Sequence, residues 1–205
     1  MTKNRVLHGQ SMLEALVAIG IIMTAVSSAL TLITSSVSAE KESETGIVGV
    51  NLAREGIEVS RNIRDSNWLA GQPFDDGLFG AGLDYTAAPV FDPAANAWQM
   101  SFVPQTIGDD GAVVYRSTGA AGGSTVGLFI QAAVQPGSSV KTVFRRLLTL
   151  DAVCADVDGA VTGAVVSGTA CPFKKVGVRI RSAVQWRLAG RVRTVTAEET
   201  VYDWK

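Results

Sequence analysis

The chain has 205 residues and a formal net charge of −1, with 18 Lys plus Arg against 19 Asp plus Glu. This balance gives no general electrostatic attraction for nucleic acid. One histidine and two cysteines leave little material for imidazole catalysis or for a soft metal site. The length allows one membrane segment and one globular domain of about 135 residues.

A short basic leader and a long uncharged run open the chain. Lys3 and Arg5 precede Gly9, and residues 15–39 carry no ionisable side chain. Roughly 20 apolar residues cross the hydrocarbon core of a bilayer, so this run is long enough to span one. The basic leader, with charged residues 40–42 after the run, predicts a cytoplasmic amino terminus.

Two other interpretations of the run stay open. Residues 37–39 (Val-Ser-Ala) fit the small-x-small pattern of a cleavable secretory signal. The run is longer than the usual apolar region of such signals, about 7–15 residues, and it begins next to an acid. A soluble core helix would show a polar face over this length. We therefore expect a retained membrane helix.

The segment GQSMLEALVAI, from Gly9 to Ile19, resembles the amino-terminal signature of type IV pilins and of the pseudopilins of type II secretion. In that family a prepilin peptidase cuts after the glycine, on the cytoplasmic side, and the new amino terminus is usually methylated. The resemblance implies a mature chain that begins at Gln10 and carries Glu14 at its fifth position. Gln10 in place of the common Phe or Met, and the lack of proline in residues 15–39, favour a minor pilin or pseudopilin over a major subunit.

A carboxylate beside so apolar a run is costly in a bilayer, which marks Glu14 as functional. Cleavage would create an amine at the membrane boundary, and this amine could neutralise Glu14 of a neighbouring copy. The run also carries small or weakly polar residues suited to close helix contact, unless their hydroxyls only bond back to their own helix. These residues are Gly20, Ala25, Ser27, Ser28, Thr31, Thr34, Ser35 and Ser36.

The helix is predicted to continue over residues 40–69. Apolar residues recur near helical spacing at Val48, Leu52, Val59 and Ile63. Three glycines in the stretch 46–56 predict a weaker or bent part of this helix, because glycine disfavours helix.

Residues 70–205 are predicted to form a β-rich head. Turn signals separate the candidate strands Trp98–Val103, Ala112–Arg116, Val126–Val134, Val140–Leu150, Val176–Leu188 and Val192–Tyr202. Apolar residues alternate along 176–188, as in an antiparallel sheet with one face on a core, and Ala189-Gly190 predicts a tight hairpin. The predicted fold class is α+β, with the second half of a long amino-terminal helix packed on this sheet. The predicted organisation is a leader (1–9), a transmembrane and assembly helix (10–39), its continuation (40–69) and the head (70–205).

Cys154 and Cys171 both lie in the predicted head. In an oxidising compartment they should form a disulfide, worth roughly 3 kcal/mol for a loop of about 16 residues. No metal site is expected, because the head has no histidine and no third soft ligand. Residues 156–159 (Asp-Val-Asp-Gly) lack the later acidic ligands of a calcium loop and are predicted to form a plain turn.

Basic residues cluster at Arg145-Arg146, at Lys174-Lys175, and at Arg179, Arg181, Arg187, Arg191 and Arg193. The predicted interpretation is a solvated face, and a DNA-contacting stripe, as in uptake pili, is the alternative. The aromatic interleaving of a single-strand binding platform is missing.

The sequence shows no Gly-x-Ser-x-Gly elbow, phosphate loop or His-Glu-x-x-His helix, and its histidine, His8, lies in the expected leader. We expect no enzyme and no cofactor. The predicted function is a structural filament subunit of the inner membrane and, after assembly, of the cell surface. Its partners would be other pilin subunits, the prepilin peptidase and the membrane. The alternatives are an exported or singly anchored surface-binding domain, and a DNA-uptake pilin.

Overall fold

One long helix precedes a set of antiparallel strands. The computed structural model describes residues 8–80, 85–92, 94–119, 126–155, 165–166 and 171–203, with the backbone alone for 8–11 and 165–166. Helix α1 spans His8–Ala70. The strands are β1 Thr86–Asp92, β2 Ala97–Ser101, β3 Val113–Ser117, β4 Phe129–Gln131, β5 Ser139–Cys154, β6 Val165–Val166, β7 Lys175–Leu188 and β8 Arg191–Tyr202, with a 3-10 turn at Asp110–Ala112.

The chain divides into two units, Met1–Gly46 and Ile47–Lys205. The described part of the first unit is helical throughout. The second unit holds the rest of α1 and all of the described strands. We call this whole unit the head from here on, so the name now includes helix residues that precede the predicted head at 70–205.

Strand β5 lies at the centre of the sheet. One of its edges pairs with β7, and the other pairs in turn with β3, β1 and β6. Strand β2 extends the sheet from β1, β4 extends it from β3, and β8 extends it from β7. Ala189 and Gly190 join β7 to β8 with φ angles of 47° and 77°, which are the positive values that a tight hairpin of this kind requires. The predicted hairpin is confirmed.

The core lies between the head part of α1 and one face of β5 and β7. Ile57 and Ile63 of the helix pack with Leu148, Leu150 and Ile180 of the sheet, all of them buried. Along β7 the buried residues alternate with more exposed ones, as the apolar pattern predicted. The α+β fold class, a long helix on an antiparallel sheet, is therefore confirmed.

Two helix glycines face the sheet at positions where a side chain would not fit. A Cβ added at Gly49 would lie 2.7 Å from Cζ3 of Trp186, and one at Gly56 would lie 2.5 Å from Oγ of Ser182. Their spacing of seven residues is close to two helical turns, so both lie on the same face of α1. The helix is uninterrupted across them. Helix propensity predicted a weak stretch here, whereas the structure uses these glycines for close packing.

Some strand boundaries differ from the predicted ones. In the predicted strand Val126–Val134, only Phe129–Gln131 is a strand. Strand β1 was missed because its sequence, TAAPVFD, is rich in alanine and contains Pro89, which removes a donor from the ladder. Strand β5 runs four residues beyond the predicted end, and its pairing with β7 continues to Cys154.

We predict that Gly56→Ala destabilises the head by about 1–3 kcal/mol, because the added methyl group must displace Ser182 or the helix. Gly46→Ala is the matched control, since no atom lies within 4 Å of its added Cβ. The control should be neutral or up to about 1 kcal/mol more stable, because alanine favours helix. Chemical unfolding of the full chain in lipid nanodiscs measures both.

A second variant tests the same contact from the sheet side. Ser182 is fully buried, and its hydroxyl has no hydrogen-bond partner within the described part of the chain. Ser182→Ala should therefore preserve stability and recover part of the loss in Gly56→Ala. Equal effects of Gly46→Ala and Gly56→Ala would contradict the close-packing role.

Candidate functional site

Helix α1 presents apolar side chains to its surroundings along the first unit. Between Met12 and Val37, thirteen large apolar side chains are each 46–72% exposed. Full burial of one such side chain contributes about 1.5–3 kcal/mol, so water is a poor solvent for this segment. By length and composition the segment could cross a membrane. It is therefore compatible with membrane anchoring.

The three predicted processing and assembly residues lie at the start of this helix. Gly9 and Gln10 belong to the first turn of α1, and Glu14 is exposed one turn later. Gln10 and Glu14 are four residues apart, about 6 Å along a helix axis, and therefore share one face. Lys3 and Arg5 of the predicted leader lie outside the described residues.

Most hydroxyls of the apolar segment bond to carbonyl oxygens of their own helix. Ser27 donates to the Met23 carbonyl at 2.8 Å and Thr31 to the Ser27 carbonyl at 3.0 Å. The same pattern holds for Thr24, Ser28, Thr34, Ser35 and Ser38. The structure shows the local bonds that the sequence analysis allowed for, and contact with a neighbouring helix stays a prediction. These residues hide their polar groups and present small surfaces to whatever surrounds the helix.

In the head, a buried arginine joins α1 to the sheet. The Arg146 side chain is 1% exposed, and its Nη1 donates to Oε2 of Glu55 at 2.7 Å and to the Leu52 carbonyl at 3.0 Å. Its Nε donates to Oε1 of Gln131 at 2.6 Å. Gln131 in turn donates to the Ala112 and Arg146 carbonyls at 3.1 and 3.0 Å. One cation thus connects the helix, β5 and β4.

Burial lowers the pKa of Arg146, and the nearby Glu55 carboxylate opposes that shift. The predicted solvated face for Arg146 was wrong, because its side chain is buried. Arg146 is in phase with Phe144, Leu148 and Leu150, which are buried on the same strand. That phase is the signal that could have identified it.

A second ion pair lies further along the helix. Arg61 donates hydrogen bonds to both carboxylate oxygens of Glu199 on β8, from Nε to Oε1 at 2.8 Å and from Nη2 to Oε2. Its Nη1 also donates to Oε1 of Glu58 at 2.6 Å. Hydrogen bonding to Glu199, chiefly, raises the pKa of Arg61. The three-residue spacing of Glu58 and Arg61 is that of neighbours on a helix surface, whereas helical spacing gives no indication of Glu199 because it shows only local partners.

Several other predicted basic residues also have partners. Arg179 and Arg181 both contact Glu198, at 3.5 and 3.0 Å. Lys175 lies 2.6 Å from Asp75. Arg145 donates to the Ile107, Gly108 and Asp109 carbonyls and so stabilises the loop before β3. Much of the basic cluster is therefore engaged within the head.

The predicted disulfide is present, joining Cys154 at the end of β5 to Cys171 before β7, with Cα atoms 5.5 Å apart. It closes a loop from which β6 pairs back onto β5. Residues 156–159, the predicted plain turn, lie outside the described residues. Among the residues that the structure describes, no group of three or more His, Cys, Asp or Glu is placed to hold a metal ion.

Comparisons of the chain with protein-family models, with curated proteins and with solved structures find no match. The function is therefore inferred from the residues and geometry above.

We predict that Arg146→Ala destabilises the head by about 3 kcal/mol, because it leaves Gln131 and Glu55 without their partner and opens a cavity. Arg187→Ala, at an exposed position of the neighbouring strand, should change stability by less than about 0.5 kcal/mol. Urea unfolding of both variants measures the difference. A loss in Arg146→Ala no larger than in Arg187→Ala would contradict the connecting role of Arg146.

Proposed function

We propose that this chain is a pilin-like filament subunit, a minor pilin or a pseudopilin. A prepilin peptidase cuts it after Gly9, and it assembles through its amino-terminal helix into a type IV pilus or a type II secretion-like filament. The observation that carries the proposal is Glu14, an exposed carboxylate near the start of an apolar, exposed helix. The α+β head attached to that helix agrees with it.

Proteolysis creates the amine that can pair with the Glu14 carboxylate. Cleavage after Gly9 gives Gln10 a free amine, one helical turn from Glu14. An unpaired carboxylate in hydrocarbon costs several kcal/mol, whereas an amine from a neighbouring copy neutralises it. Pairing between copies then sets their axial offset, and the apolar side chains from Met12 to Val37 supply the packing.

The same features support a location for the subunit before and after assembly. Before assembly the subunit is held in the inner membrane by a single span with its amino terminus in the cytoplasm. Extraction into a filament replaces lipid around α1 by the helices of other subunits, and the head then faces the outside of the cell. An oxidising exterior agrees with the disulfide between Cys154 and Cys171.

The two alternatives predict different properties. An exported or singly anchored binding domain would use an ordinary signal or anchor, cut after Ala39 or not cut at all. A DNA-uptake pilin would show salt-sensitive DNA binding that depends on Arg179, Arg181 and Arg193. The ion pairs of Arg179 and Arg181 with Glu198 count against this second alternative. No catalytic role is proposed.

Intact mass of the protein purified from membranes of cells that contain a prepilin peptidase tests the cleavage. We expect a mature chain that begins at Gln10, with the added mass of one methyl group if the amine is modified. The uncut chain should accumulate when the peptidase is deleted. A mature chain that begins at Glu40 would contradict the proposal.

We predict that Glu14→Ala leaves the protein in the membrane but lowers its recovery in sheared filaments at least about tenfold, the effect of losing 1.4 kcal/mol of pairing energy. Glu40→Ala is the matched control, since it removes a carboxylate from the same helix beyond the apolar run, and it should assemble normally. Quantitative blotting of membrane and filament fractions gives both values. Normal filament entry of Glu14→Ala would refute the role assigned to this carboxylate.

A further inference from the structure

A groove crosses the surface of the head between α1 and the hairpin of β1 and β2. One hollow, of about 460 Å³, is lined chiefly by Asn62, Ser66, Asn67, Phe91, Asn96 and Trp98. It shares Asn62 and Trp98 with a second hollow, of about 600 Å³, that continues along the helix past Glu58 and Arg61. Both volumes lie within the range of small-molecule sites, roughly 300–1,000 Å³.

Two aromatic rings form one wall. Phe91 and Trp98 are cross-strand partners, with ring centroids 5.3 Å apart and an angle of 64° between their planes. Trp98 packs against the core cluster that contains Ile63, which fixes its position, and Phe91 stays 41% exposed. The faces of such rings carry partial negative charge. They attract the polarised C–H groups on the face of a sugar ring.

The polar groups on the other side are neutral. Asn62, Ser66 and Asn96 are exposed, and their side chains make no hydrogen bond within the described part of the head. An amide offers two donors and an acceptor, and a hydroxyl offers both functions, which suits vicinal hydroxyl groups.

The charged groups along the groove already have partners. Glu58 is paired with Arg61 at 2.6 Å, and Asp65 with Arg64 at 2.8 Å. Arg61 also holds Glu199 on β8. Glu58 and Glu199 share the single Arg61 guanidinium, so a net negative charge remains along the groove, and this favours a neutral ligand over an anionic one.

Hydrogen bonds within the head define the frame of the groove. Asp92 accepts hydrogen bonds from the backbone of Ala94 and Ala95, at 2.9 and 3.3 Å, and so shapes the hairpin turn. Asn96 adopts a left-handed φ of 48°, which asparagine tolerates. Across the groove, the Asn67 amide donates to the Phe74 and Asp76 carbonyls at 3.3 and 2.8 Å. A preformed site loses little entropy on binding.

We infer that this groove binds a neutral carbohydrate, with one sugar ring stacked on Trp98 and its hydroxyls bonded to Asn62, Ser66 and Asn96. The inference adds an activity to the head and does not depend on cleavage after Gly9. A failure here leaves the proposed filament role intact, and the reverse also holds.

Isothermal titration of the full chain in phosphatidylcholine nanodiscs tests the inference, because sugar-based detergents would compete for the groove. The probes are the neutral hexasaccharides of glucose (β-1,4 and α-1,4 linked), mannose and N-acetylglucosamine, with oligogalacturonate as the charged comparison. We expect at least one neutral probe to bind and the charged one to bind more weakly. Binding of none of the neutral probes, or tighter binding of oligogalacturonate, would overturn the inference.

Variants locate the bound probe. Trp98→Ala should weaken binding at least tenfold, and Asn62→Ala about fivefold, the weight of one neutral hydrogen bond. Asn62 is exposed, so its variant keeps the test valid if Trp98→Ala disturbs the hairpin. Phe173→Ala is the matched control, because Phe173 is 58% exposed and lies outside the lining of the groove. Equal affinity in wild type, Trp98→Ala and Asn62→Ala would place the probe elsewhere and overturn the inference.

Discussion

The head depends on how closely α1 lies against the sheet, a distance that only residues without a side chain permit. Gly49 and Gly56 place the helix backbone directly on Trp186 and Ser182. Because the helix lies this close, Arg146 reaches a helix carbonyl and a helix carboxylate from inside the sheet. A larger residue at either glycine would lengthen those bonds as well as open the core.

The ion pairs make this packing specific. An apolar helix face could slide along an apolar sheet by one turn, about 5.4 Å, and keep much of its buried area. Such a slide would separate Arg146 from Glu55 and Arg61 from Glu199. Arg146 is buried, and a buried charge without its partner costs several kcal/mol, so one register is selected. The register of the helix also sets the shape of the groove beside Trp98, because one wall of the groove is α1 and the other is the β1–β2 hairpin.

The two units therefore expose opposite kinds of side chain. Between Met12 and Val37 the helix turns its polar groups inward, with hydroxyls bonded to its own carbonyls, and exposes apolar side chains. The head does the reverse, since it buries apolar side chains and leaves most of its charged side chains at or near the surface, with the buried Arg146 paired to Glu55 as an exception. In the proposed function both properties are needed, because the helix would have to suit lipid first and other helices later.

The sequence by itself determined what depends on neighbours along the chain. Local composition shows the uncharged run at residues 15–39 and the carboxylate of Glu14 beside it. Local periodicity and backbone preference predict the alternation along β7 and the Ala189-Gly190 turn. The structure alone decided what depends on residues far apart in sequence. It buried Arg146, gave Gly49 and Gly56 a packing role, and brought Trp98 beside Asn62. Local patterns carry no record of which distant surface will meet them, because that choice is made by the shape and charge of the whole packed head.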